Sequence, residues 1–418
     1  ALLMSILEDL DLETSKCISC TFCESVCPTL QAMDYRAIYG ARGRVLLAKE
    51  LLKEIKNGGK SDLEISNPFY SCLDCYACFN VCPAGVNAGH VSEIAKSLIV
   101  SGKYLEKNQE KNVAKMIIMS IMKFSSPLGL KNETTSWSQD LYFNENSENL
   151  LYTGGMYQLM AYSKVLSNLE KKFKLETIEK IAELISKYPN LIKLTHPMYD
   201  ENLKTRMDNI LHSIYDILRS SGITFKYLGE DEPYPGSFLY ELGYMDDFVQ
   251  YGKRLKDLFN KNKIKNIITI DPHTYEILKV VYPRYVDGFN FNVTHYLDHL
   301  VNLNFNKTDE KIVYHEPCHF SMHQEKYNEP LKLIARIADL KLPERHGTTS
   351  YCCGGPAELI YPNLSESISY RRFNELKSTG ADKIVTACPI CFANLSKDDT
   401  VFDLAEILEK RLNKNINF

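Results

Sequence analysis

The stretch Cys17-Ile18-Ser19-Cys20-Thr21-Phe22-Cys23-Glu24-Ser25-Val26-Cys27-Pro28 decides how this chain is read, because Cys72-Leu73-Asp74-Cys75-Tyr76-Ala77-Cys78-Phe79-Asn80-Val81-Cys82-Pro83 repeats its spacing. Three thiolates two residues apart can wrap one face of an iron–sulfur cubane, while a fourth, past a wider gap and turned by its proline, reaches away. Two copies point to two 4Fe-4S clusters. Zinc knuckles and structural disulfides compete with this reading. Zinc wants two ligand pairs closing one tetrahedron, fewer thiols than these two runs offer. Disulfides suit small secreted scaffolds rather than a chain of 418 residues.

The spacing resembles that of bacterial two-cluster ferredoxins, in which the fourth cysteine ligates the other cluster. The resemblance implies that Cys17, Cys20 and Cys23 share a cluster with Cys82, and that Cys72, Cys75 and Cys78 share one with Cys27. Between the runs, Val45, Leu46, Leu47, Leu51, Leu52 and Ile55 recur at helical spacing within Tyr35 to Lys56, and Asn57-Gly58-Gly59 stops the helix. Another helix is expected over His90 to Val100. Residues 1–105 therefore read as a mostly helical two-cluster unit.

Composition is that of an ordinary globular protein, with 44% hydrophobic and 24% charged residues. A formal charge of -4, with basic residues scattered among acidic ones, gives no field for nucleic acid. Glu8, Asp9, Asp11 and Glu13 near the start, without basic residues before them, argue against a signal peptide. Thirteen cysteines kept reduced to hold iron suggest the cytoplasm. No apolar run approaches the roughly 20 residues that span a bilayer. Residues 106–147 read as a connector holding one apolar stretch, Val113 to Phe124. That stretch could be a buried core helix, a docking face for a partner protein, or an interfacial helix attaching the chain to the inner face of a membrane.

From residue 148 short apolar strands alternate with amphipathic helices: Asn149 to Tyr152, Leu191 to Leu194, Asn266 to Ile270, Lys311 to Tyr314 and Lys383 to Thr386. Such alternation predicts an α/β region with parallel sheets. It also contains a weak repeat. Ile267-Ile268-Thr269-Ile270-Asp271-Pro272 aligns with Ile384-Val385-Thr386-Ala387-Cys388-Pro389, and Tyr234-Pro235-Gly236 aligns with Cys352-Cys353-Gly354. Two tandem units, 148–305 without cysteines and 306–418 with five, are the expected organisation.

Those five are Cys318 in His315-Glu316-Pro317-Cys318-His319, the doublet Cys352-Cys353 before Gly354-Gly355, and Cys388-Pro389-Ile390-Cys391. Each follows an expected strand, so a parallel sheet would gather them at its carboxyl end. Five thiolates exceed the four of zinc and fit a larger or irregular iron–sulfur cluster better, with a structural zinc as the alternative. His315 and His319 are candidate proton donors or partners of the cluster, and His323 and His346 lie near in sequence. Each could equally cap a strand or helix.

These elements together resemble the cysteine-rich CCG domain family: the D-type heterodisulfide reductase subunit and the iron–sulfur subunits of glycolate oxidase, D-lactate dehydrogenase and anaerobic glycerol-3-phosphate dehydrogenase. The resemblance implies a noncubane 4Fe-4S cluster held by Cys318, Cys352, Cys353, Cys388 and Cys391. Arg42-Gly43-Arg44 is similar to a family segment between the two cysteine runs; its plain reading is a basic helix start on the surface. The first unit departs from the family. Tyr234 and Pro235 replace the doublet, Asp271 and Thr274 replace the C-P-x-C cysteines, and Gly155 or His196 stands for the opening cysteine.

The implied function is an electron-transfer subunit that takes electrons from a flavoprotein dehydrogenase acting on a 2-hydroxy acid or glycerol-3-phosphate. They would pass through the two cubanes and the noncubane cluster to a quinone or other acceptor. No G-x-G-x-x-G follows a strand, so no flavin or nicotinamide site is visible. The alternatives are a disulfide- or thiol-active catalytic subunit, and a non-redox domain with structural zinc.

Overall fold

The computed structural model describes residues 2–413. Helices Leu2–Ser15, Ala41–Lys56 and Ala88–Ser101 pack together and present the two cysteine runs on short helical turns. The second of these helices begins at Ala41 rather than Tyr35, since Gly40 is extended and a 3-10 turn at Ala37–Tyr39 precedes it. Gly43 must be glycine: a Cβ there would lie 1.8 Å from the Ala37 carbonyl oxygen. Asn87 caps the third helix by accepting from the His90 amide at 3.1 Å, and Gly102 ends it in the left-handed region.

The apolar stretch forms helix Asn112–Phe124 and buries Val113, Ala114, Ile117, Ile118 and Ile121 against Leu175–Lys187, which is how a core helix behaves. Among the described residues no helix is long and apolar enough to cross a membrane.

Two parallel sheets follow. The first contains β1 (Asn149–Tyr152), β2 (Asn266–Thr269) and β3 (Asn292–His295) in that order. Asn149, Asn266 and Asn292 stand in register and their side-chain amides bond in series at 2.9 Å. The second contains β4 (Lys311–Tyr314), β5 (Asp339–Lys341), β6 (Lys383–Thr386) and β7 (Val401–Asp403) in the order β5-β4-β6-β7. A parallel bridge from Lys226 to Leu150 extends the first sheet on the outer side of β1. With that bridge the two sheets share one strand order: second, first, third, fourth. β1, β2, β4 and β6 present nearly continuous buried runs, as strands covered on both faces must.

The expected strand at Leu191 to Leu194 is absent; those residues lie in 3-10 helix Pro189–Thr195, which buries only Ile192. Proline opens the segment and the Thr195 hydroxyl bonds back to the Ile192 carbonyl at 2.7 Å, so its apolar residues never join a sheet.

The helical unit is fastened to both α/β units. Lys96 pairs with Asp74 at 2.5 Å and reaches the Glu241 carbonyl at 3.0 Å, while Gly243 packs so closely on the Lys96 backbone that a Cβ would sit 2.5 Å from it. The Asn80 amide donates to the carbonyls of Met322 and Thr348.

Candidate metal centres

Both cysteine runs take the same unusual backbone. The second and fourth residues after the first cysteine, Ser19 and Thr21 in one run and Asp74 and Tyr76 in the other, all have positive φ. Non-glycine residues occupy that region at a cost of order 1 kcal/mol each, and alternation with ordinary φ turns successive amides inward as an anion-binding nest. The shape suits a negatively charged inorganic core. All thirteen cysteines are free.

Cys27, Cys72, Cys75 and Cys78 line one small cavity, the set that crosses between the runs. Cys23 lies among Cys17, Cys27 and Cys82; burial, then Glu24 and these thiolates, pushes it up to about 12. Such thiols ionise when a cation supplies the compensating charge, which fits iron. Cys17, Cys20, Cys23 and Cys82 are half-buried, whereas Cys27, Cys75 and Cys78 are buried.

Arg44 corrects the surface reading. It is 1% exposed and runs between the two runs, donating to the Pro68 carbonyl at 2.6 Å, Thr29 at 3.0 Å and Ser71 at 3.1 Å, with Nη1 3.9 Å from Cys27 Sγ.

The second sheet gathers the other five cysteines at its carboxyl end, all buried. Cys318 opens helix Cys318–Gln324, Cys388 precedes helix Pro389–Leu395, and Cys391 lies in that helix's first turn. Gly354, at φ 84°, turns the doublet inward, and the amides of Gly354 and Gly355 each approach a doublet sulfur at 3.4 Å. Cys352 neighbours Cys318 and Cys353, and Cys391 neighbours Cys353 and Cys388. Burial opposes ionisation of Cys388, but Cys391 and His273 outweigh it and bring the thiol to about 7. Five neighbouring thiols exceed a zinc tetrahedron and fit a multi-iron group. Cys75 also senses Cys318, so this site adjoins the buried cysteine set of the helical unit.

His315 Nδ1 accepts from Arg372 Nε at 3.1 Å, which leaves its N–H at Nε2, and this ring lies beside Cys353 and Cys391. Arg372 is fully buried and braced by Glu375 at 2.9 Å. His319 and His323 bond to Glu276 and line a cavity at the junction of all three units. His346 is exposed. Sequence reasoning assigned no role to His273, Glu241 or Glu276. His273 lies beside Cys388 and bonds to Glu241 Oε1 at 3.3 Å, and its ring centroid is 3.8 Å from that of His319. The alignment of Pro272-His273 with Pro389-Ile390 was the signal that could have placed it at the crevice.

The corresponding crevice of the first sheet has no thiol. Half-buried Glu232 accepts from the Thr153 amide at 3.1 Å, the Asp271 carboxylate caps the Thr274 amide at 2.9 Å, and Pro235 closes on Gly154. Three residues separate β1 from helix Met156–Glu170, as three separate β4 from the helix opened by Cys318. Met156, rather than Gly155, thus occupies the opening-cysteine position. His196 lies elsewhere, bonded to the Leu128 carbonyl at 2.8 Å.

A helical unit carrying two cysteine runs and an α/β unit gathering five buried thiols suit iron–sulfur clusters. Residues 13–86 match the 4Fe-4S dicluster domain and residues 312–396 match the cysteine-rich domain CCG. Over 201 residues it is 28% identical to the probable iron-sulfur-binding oxidoreductase FadF of Bacillus subtilis, covering 46% of this chain and 28% of that protein. Over 236 residues it is 25% identical to the EtfAB:quinone oxidoreductase of Syntrophomonas wolfei, covering 50% of this chain and 32% of that protein. Over 446 residues it is 22% identical to the D-type subunit of the dihydromethanophenazine:CoB--CoM heterodisulfide reductase of Methanosarcina barkeri, covering 96% and 94%. The matched segments span about a third of the first two relatives and nearly all of the third. The two matched domains support iron–sulfur clusters in this chain.

Proposed function

We propose that this chain is an electron-transfer subunit that accepts electrons from a flavoprotein dehydrogenase of the 2-hydroxy-acid or glycerol-3-phosphate type and delivers them to a quinone or another carrier. Two cubanes, on the crossed cysteine sets, and one noncubane 4Fe-4S cluster, on the five cysteines, would supply the one-electron chemistry. The observation that carries the reading is the order of the thiols. A half-exposed set adjoins a set in which Cys27, Cys75 and Cys78 are buried and Cys72 half-buried, and Cys75 adjoins Cys318 of the five-cysteine site. This is a path from a docking surface to an interior terminus. The chain's own residues tune the path: Arg44 places a cation by Cys27, His315 lies beside Cys353, and the doublet glycines point amides at sulfur. Thirteen reduced thiols support a cytoplasmic location, at the inner face of a membrane if the acceptor is a quinone.

The cavity lined by His273 and His319, with Cys388 behind His273, favours a second reading, disulfide or thiol chemistry, in which His319 would move protons. The thiol-free first crevice leaves that reading one cluster rather than two.

Freeze-quench EPR after deazaflavin photoreduction tests the path, using a water-soluble menaquinone analogue as acceptor. Wild-type protein should be reoxidised by the quinone, whereas Cys352→Ser should reduce its cubanes normally and reoxidise at least tenfold more slowly. Wild-type reoxidation in the variant would remove the five-cysteine site from the path.

A further inference from the structure

At the junction of the three units, Glu276 receives two imidazoles through the same kind of atom. His323 Nδ1 lies 2.8 and 2.9 Å from the two Glu276 oxygens, and His319 Nδ1 bonds to the same carboxylate. His323 Nε2 lies 2.7 Å from the Asp74 carbonyl, so that nitrogen carries the proton and the Nδ1 lone pair faces the carboxylate. A lone pair and two carboxylate oxygens repel unless a cation stands between them. That cation is either a proton on His323 Nδ1 or a metal ion; with the tilted rings of His273, His319 and His323 only 3.8 and 4.4 Å apart, one metal ion serves two rings with less mutual repulsion than protons on both.

We infer that Glu276, His319 and His323 hold a divalent transition-metal ion, separate from the iron–sulfur clusters, with open positions facing the cavity. Their donor atoms all lie within 4.8 Å of one another, and His319 shares a second such triad with Glu241 and His273. Two ligands about 2.1 Å from one ion and at right angles stand about 3 Å apart, which the His323–Glu276 separations match. Two imidazoles and one carboxylate with open positions suit ferrous iron, manganese or zinc. The carbonyl-anchored Nε2 of His323 is the outer bond that orients a metal-ligating histidine. His319 and His323 sit one helical turn apart on helix Cys318–Gln324, and Glu276 comes from helix Pro272–Glu276, so both α/β units contribute. The cavity, lined by these residues and reaching His90 and Glu93, admits water or a small oxygen-bearing ligand to the open positions. The inference does not rest on the electron-transfer reading.

Metal analysis with K-edge EXAFS on full-length, cluster-loaded protein tests it. About one equivalent of zinc, manganese or non-cluster iron should be found with nitrogen and oxygen neighbours near 2.1 Å and no sulfur neighbour. Glu276→Gln and His323→Asn should each lose that equivalent while acid-labile sulfide stays unchanged. Three outcomes would each overturn the inference: no equivalent in wild-type protein, zinc with sulfur neighbours, or full retention in both variants. Because the wild-type spectrum decides by itself, misfolding of a variant does not rescue the inference.

Discussion

Removing the buried charge of Arg44 should lower the reduction potential of one cubane. Arg44 Nη1 lies 3.9 Å from Cys27 Sγ, and this sulfur shares its cavity with Cys72, Cys75 and Cys78. Two unit charges at that distance and an effective dielectric of about 20 interact by about 4 kcal/mol. The added electron spreads over the cluster, so about half of this, about 2 kcal/mol, acts on reduction. At 2.3 kcal/mol per 100 mV this is about 90 mV. The sign follows from charge. A cation favours the more negative, reduced cluster, so Arg44→Met should shift the potential down by about 90 mV. Arg44→Lys, which keeps the charge, should shift it much less. EPR-monitored redox titration measures both, with iron content as the check on loading. Unchanged potentials in fully loaded Arg44→Met would refute the assignment of Arg44 as a tuning residue and weaken the crossed ligand set.

Other outcomes follow from single positions. Gly43→Ala should cost more than about 3 kcal/mol, because its Cβ would overlap the Ala37 carbonyl; an unchanged melting temperature would contradict the geometry. His90 bridges Asp9 and Glu93; burial lowers its pKa, yet these partners raise it to about 10. A raised histidine stabilises fully below its unfolded value and loses that contribution as pH rises through the folded one. The stability gap between wild type and His90→Asn should therefore be largest, about 1–3 kcal/mol, below pH 6.5 and vanish above about pH 10. Equal gaps at pH 6 and 10 would sink this. Glu170 is raised to about 8, first by burial and then by Glu358, so its native state favours the proton and loses stability between about pH 4.5 and 8. Glu170→Gln should be more stable than wild type by about 1–2 kcal/mol at pH 8 and equal to it at pH 4 in denaturant titrations.

The sequence exposed what rests on local spacing. The cysteine runs, four strands and the helix cores follow from periodicity and glycine stops, and the structure forms β1, β4 and β6 over the expected residues. Contacts between distant segments were not legible. Leu191 to Leu194 has the composition of a strand but no neighbour to pair with. Arg44 reads as a surface base until Pro68, Thr29 and Ser71 enclose it. His273 and Glu276 belong to the cysteine-free unit, and their nearness to Cys388 and His319 arises only when the two units meet. Met156 takes the opening-cysteine position because helix starts, rather than residue types, set the correspondence between the units.

Iron, acid-labile sulfide and zinc content, combined with low-temperature EPR on anaerobically prepared protein, bears most directly on the central claim. The account predicts about twelve cluster irons per chain with matching sulfide, and an atypical paramagnetic signal beside two coupled cubanes. About eight cluster irons with one sulfur-bound zinc would contradict it and leave the five-cysteine unit without redox chemistry.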